Sequence, residues 1–137
     1  MMLSDLEHLL PNGLHDAELV RFSMDYAART LELDVVVWTG DLASPQRREA
    51  YRPARVRIRE VAYVVVEPPD TRYPWNEAGS REINVGTGMP PQSDSRLPEA
   101  PRGTERTWVY IKEHNRFLHF AGGEATMEWT GPELVRG

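Results

Sequence analysis

From Glu18 to Tyr26 the chain alternates: Val20, Phe22, Met24 and Tyr26 fall on one side, Arg21, Ser23 and Asp25 on the other. A period of two marks a half-buried β-strand. Residues 27 to 30 read as a turn. Leu31, Leu33, Val35 and Val37 then alternate with Glu32, Asp34, Val36 and Trp38. Near Trp38 both faces become apolar, which sets that end of the second strand deeper. Residues 40 to 53 are polar and read as a loop.

A third strand is expected from Ala54 to Glu67. Its first half puts Val56 and Ile58 on one face and Arg55, Arg57 and Arg59 on the other. Past Glu60 the phase flips, and Val61, Tyr63 and Val65 align with the arginines. Either both faces are covered there, or a β-bulge near Glu60 turns the strand over. In a meander this strand pairs with the second, which sets Arg57 and Arg59 against Glu32 and Asp34 and helps fix register. Pro68-Pro69 stops it, because proline cannot donate to a ladder.

Residues 3 to 10 predict a short helix. Ser4 is its expected N-cap, Glu7 stands at capping-box spacing, and Leu3, Leu6, Leu9 and Leu10 share a face. Pro11-Asn12-Gly13 ends it. Residues 68 to 104 form an excursion holding seven of the eleven prolines, with one short strand at 81–85. An excursion this long is functional or partly disordered. Alternation returns at 106–112, 116–121 and 125–129, with turns at Glu113-His114-Asn115 and Gly122-Gly123. That spacing predicts an antiparallel meander. The fold class expected is mainly β: one short N-terminal helix and an antiparallel meander of about six or seven strands, as a half-barrel or two-layer sandwich.

Composition narrows this picture in three ways. At 137 residues the chain has the length of one domain. It contains no cysteine, which removes disulfides, thiolate metal sites and a cysteine nucleophile. The net charge of -5 argues against a nucleic-acid partner. The positive charge is uneven, since six of the fifteen arginines lie between Arg47 and Arg59 and Lys112 is the one lysine. The first residues lack the basic and apolar regions of a secretory signal, and no apolar run approaches the ~20 residues of a membrane helix. The expected location is cytoplasmic, with no membrane partner and no cofactor.

Several residues invite a chemical reading. His15-Asp16 offers a base or metal ligand, against a role in capping the entry to the first strand. His119, within RFLHF, is either a satisfied strand histidine or, with His15 and Asp25 or Glu128, part of a metal site. Trp38, Trp108 and Trp129 fall on strands and read as core. Tyr73 and Trp75 sit in the excursion, where aromatics either anchor a loop or contact a partner. Arg57 and Arg59 form a basic patch or a face balanced by Glu32, Asp34, Glu49 and Glu60. Gly86-Thr87-Gly88 lacks the third glycine and the following helix of a nucleotide fingerprint.

The stretch LPNGLHDAELVRFSMDYAARTLELDV, with its His-Asp-Ala turn and two alternating strands, resembles small bacterial β-rich proteins. Among these are immunity proteins of polymorphic-toxin systems. The likeness runs through Val66 to Pro69. It implies a cytosolic, non-catalytic binding domain and carries over no catalytic residue. The leading expectation is a non-enzymatic protein-interaction module, with an immunity-like inhibitor as its particular form, working through its exposed sheet face or the Tyr73–Trp75 loop. Two alternatives stand beside it. One is a small-molecule or metal site lined by His15, Asp25, Trp38 and His119. The other is a structural subunit of a homo-oligomer joined through strand edges.

Overall fold

The computed structural model describes residues 1–73, 81–88 and 97–136. Trp75 lies outside them. Among the described residues the helix α1 spans Leu3–Glu7, and nine strands follow: β1 Glu18–Asp25, β2 Thr30–Trp38, β3 Ala50–Ile58, β4 Tyr63–Val66, β5 Ile83–Thr87, β6 Glu105–Ile111, β7 Arg116–Gly122, β8 Ala125–Trp129 and β9 Leu134–Val135. They form two antiparallel sheets. The first runs β1-β2-β3-β8, with β9 also paired to β3; the second runs β4-β7-β6-β5. The mainly β expectation holds, as two layers and not a closed barrel.

One core lies between the layers. Leu31, Leu33, Val35, Val37, Val56 and Ile58 enter from the first sheet, and Ile83, Val85, Val109, Ile111, Leu118 and Phe120 from the second. Each fully buried apolar side chain of this size stabilises by roughly 1.5–3 kcal/mol. Leu3, Leu6 and Leu14 join the same core. The helix is shorter than 3–10, and its N-cap is Met2 rather than Ser4. Met2 N–H donates to Asp5 Oδ2 at 3.0 Å, while the Ser4 hydroxyl donates to Glu105 at 2.5 Å. Leu9, expected on the buried face, is exposed.

The phase flip near Glu60 marks a change of sheet. Glu60 has a left-handed backbone, with φ of 56°. It separates β3 from β4, so the single strand expected from Ala54 to Glu67 is two. Residues 58–63 cross between the layers beside residues 121–125. Arg59 N–H donates to the Glu124 carbonyl at 2.8 Å, Gly123 N–H to the Arg59 carbonyl at 2.7 Å, and Ala62 N–H to the Ala121 carbonyl at 2.8 Å. The C-terminal meander is corrected by the same crossing. β6 and β7 pair, but β8 leaves the second sheet and pairs with β3.

A second seam joins β1 to β5. Asp16 N–H donates to the Ile83 carbonyl at 3.0 Å, Ile83 N–H to the Ala17 carbonyl at 2.9 Å, and Leu19 N–H to the Arg81 carbonyl at 2.9 Å. A register shift between Leu19 and Arg21 leaves Val20 exposed. The expected face of Val20, Phe22, Met24 and Tyr26 is therefore split: Phe22 and Met24 are half-buried, and Val20 and Tyr26 face solvent. Among the described residues no helix is long and apolar enough to cross a membrane.

Candidate functional site

The outer face of the first sheet brings together most of the chemistry that the chain carries. The β2 alternation puts Leu31, Leu33, Val35 and Val37 inward and Glu32, Asp34, Val36 and Trp38 outward. Register then sets each outward residue against a partner on β3: Glu32 against Arg57, Asp34 against Arg55, Val36 against Pro53 and Trp38 against Tyr51. Arg55 thus takes the place expected of Arg59. Arg59 lies past the end of β3 and is exposed at the crossing.

The lower rows of this face form an ion-pair lattice. Arg55 Nε lies 2.9 Å from Asp34 and 3.2 Å from Glu32, Arg57 lies 3.2 Å from Glu32, and Arg21 Nε lies 3.1 Å from Asp34. Alternating signs on neighbouring strands neutralise one another and fix register. The balanced-face reading of the arginines is correct for Arg57.

The upper rows are apolar. Trp38, Tyr51 and Leu134 stand side by side across β2, β3 and β9, and Leu134 is 61% exposed. Strand β9 is held by a carboxylate clamp. Arg47 donates to both Glu133 oxygens, at 2.7 and 3.1 Å, and the Thr39 hydroxyl donates at 2.7 Å. These bonds, the Arg47 bond first, hold the Glu133 carboxyl below its ordinary range. One residue on from Val135, the Arg136 guanidinium lies 4.4 Å over the Tyr51 ring and 2.7 Å from Glu18. Burial, then the nearby Glu49 charge, push the Tyr51 hydroxyl up.

The 39–49 loop walls this end. Trp38 Nε1 donates to the Arg48 carbonyl at 2.7 Å. A side chain at Gly40 would collide with the Arg47 carbonyl and the Trp38 ring, so only glycine allows this approach. An open cleft of about 510 Å³ results, lined by Trp38, Tyr51, Asp16, Asp41, Arg48 and Glu49 among others.

Of the sequence candidates, Asp16 and Trp38 meet in this cleft, and Arg57 lies lower on the same face. Asp16 has a left-handed backbone, with φ of 60°, and its carboxylate accepts from Lys112 at 3.2 Å. Hydrogen bonds to Glu82 and then Asp16 push the Lys112 ammonium up. His15 is exposed beside it, in the turn before β1.

His119 is elsewhere, fully buried on the outer side of the second sheet. Its Nε2 lies 2.9 Å from Glu67 Oε2, and its ring stacks on Phe117 at 5.6 Å. Asp25 accepts from Ala28 N–H at 2.9 Å in the β1–β2 turn. The four residues proposed to line a metal or small-molecule site are thus dispersed. Among the described residues no group of three His, Asp or Glu side chains is placed to hold a metal. Tyr73 is exposed. The strand tryptophans are a correction: Trp38 and Trp108 are half-buried and Trp129 is exposed, so none is core.

Sequence reasoning missed Tyr51, because Pro53 hid the start of β3. The missing N–H of Pro53 causes no loss, because it falls where the partner of β3 changes from β8 to β9 and only its carbonyl is used, accepting from Thr130 N–H at 2.9 Å. The outward spacing of Tyr51, Pro53, Arg55 and Arg57 was the available signal. Leu134 and Arg136 had none, since β9 is two residues long. No family model, curated protein or solved structure matches the chain.

Proposed function

We propose that this chain is a protein-interaction module, immunity-like in the sense of the resemblance in its first half, that docks a partner protein on the outer face of its first sheet. One observation carries the reading: the Trp38–Tyr51–Leu134 row lies across three hydrogen-bonded strands on an exposed sheet face. Aromatic and arginine side chains on a rigid scaffold make the strongest interface anchors. The ion-paired rows beside them supply a polar border of the kind interfaces carry.

The test uses the full chain as bait in an extract of its own host. A partner should be retained stoichiometrically by the wild type. Leu134→Arg and Leu42→Arg, the second at an exposed leucine of the cleft lining, should each reduce retention at least ten-fold, and Tyr26→Ser, at the far end of β1, should not. Equal retention by all four proteins, or by none, overturns the reading.

A second reading rests on the β1 edge. Among the described residues nothing pairs with it beyond Leu19, although Val20 and Tyr26 are exposed there. Unpaired edges template strand pairing between copies. Light scattering at two concentrations decides this: a dimer dispersed by Val20→Lys supports it, and a concentration-independent monomer removes it.

A further inference from the structure

The docking reading leaves the chemistry of the partner open, and the cleft at the head of the face narrows it. Resting on that reading, we infer that the Trp38–Tyr51 cleft seats an arginine side chain of a basic partner protein.

The same end of the sheet already handles guanidinium groups. Arg136 lies 4.4 Å over Tyr51 with its charge met by Glu18, and at the neighbouring rim Arg52 lies 4.8 Å over Trp129. Aromatic faces attract such cations through the ring quadrupole, and tryptophan does so best. Among the described residues no cation lies over the Trp38 ring. That ring is also held still, by its bond to the Arg48 carbonyl and its contact with Gly40.

The charges around the cleft complement a cation. Asp16 is met by Lys112. Asp41 and Glu49 make no ion pair among the described residues: Asp41 accepts from Ala43 N–H at 2.8 Å, and Glu49 from the Tyr51 hydroxyl at 3.3 Å. Arg48, the basic residue of the lining, turns its Nε to the Leu42 carbonyl. The cleft therefore presents two carboxylates with no ion-pair partner in contact, reached by Arg47 and Arg136 only at longer range, beside an open aromatic face. The chain as a whole carries -5, so its field draws in basic partners before contact. Lower on the face, Arg21, Arg55 and Arg57 are matched by Glu32, Asp34 and Glu128, the last opposite Arg55, and a partner meets no net charge there.

Calorimetric titration of the full chain with a capped hexa-arginine peptide tests this. The expected result is saturable one-to-one binding. Asp41→Asn combined with Glu49→Gln should weaken it at least ten-fold. Glu99→Gln combined with Glu124→Gln, which removes the same charge from exposed sites elsewhere, should change it less than two-fold. Trp38→Phe should retain binding and Trp38→Leu should lose it; the carboxylate pair decides the matter if Trp38→Leu does not fold. Absence of saturable binding, equal weakening by both carboxylate pairs, or hexa-lysine binding as tightly as hexa-arginine overturns the inference. The two readings fail separately. A partner that is lost with Leu134→Arg but kept by the Asp41/Glu49 variant leaves docking standing and removes the arginine seat.

Discussion

The outer faces of the two sheets place charge in opposite ways. On the first sheet, acids and arginines alternate across strands in water, with Glu32, Asp34 and Arg55 each meeting two partners. On the second, His119 is fully buried against Glu67, beneath an aromatic group in which Phe117 meets Trp108 at 5.7 Å, Tyr110 at 5.0 Å and His119 at 5.6 Å. Glu67 also accepts from Phe117 N–H at 3.0 Å. Solvated pairs each contribute little and mainly fix register. A buried polar pair contributes through the cost of leaving either member unpartnered. The first face is thus free to change composition for recognition, while the second is committed to holding the fold.

Three experiments bear on that contrast. The largest effect is expected from His119→Ala, which removes a fully buried ring and one of the partners of Glu67. It should lower the unfolding free energy by about 2–4 kcal/mol, against less than about 1 kcal/mol for Arg57→Ala. Urea denaturation of both variants reads this, and equal losses would erase the distinction between the faces.

A smaller effect is expected from Asp34→Asn, which weakens contacts to both Arg21 and Arg55. The loss should be about 0.5–1 kcal/mol in dilute buffer. It should fade in 1 M salt, where the screening length falls to about 3 Å. The His119→Ala loss should persist there. A salt-independent Asp34 effect would mean that its role is packing.

The smallest effect concerns Asp70, on the chain leaving the second sheet. Arg72 donates to its carboxylate from Nη2 at 2.8 Å, Nε at 3.1 Å and the backbone at 3.0 Å, and Asn115 donates at 3.2 Å. The Arg72 side-chain bonds, then its backbone bond, hold this carboxyl well below its ordinary value of 3.8. The folded protein therefore releases this proton more readily than the unfolded chain. The stabilisation is complete above the ordinary value and is lost as pH falls below it. The Tm gap between wild type and Asp70→Asn should narrow from pH 6 to pH 2. A constant gap would show that the bonds survive protonation.

Much of the fold was legible along the chain. The β2 alternation assigned its buried and outward residues correctly, and the match of Arg57 with Glu32 followed from it. The phase change at Glu60 was visible too, but its meaning was not. A flip in period reads alike for a bulge and for a strand passing between layers, and only the neighbouring 121–125 segment distinguishes them. The tryptophans misled because ring size was taken for burial. Trp38 instead lies on the outward parity of its own strand.

Sequence alone determined which side of each regular strand is apolar, because side chains alternate across a pleat whatever the strand packs against. It determined the net charge and the stop of pairing at Pro68-Pro69. Tertiary structure decided which strands meet. β8 leaves β7 for β3, and β9 settles beside β8 on the same edge. Those pairings put Trp38, Tyr51, Leu134 and Arg136 on one surface. Local periodicity specifies a face but not its neighbour, and the neighbour is selected by burial of a core shared between distant segments.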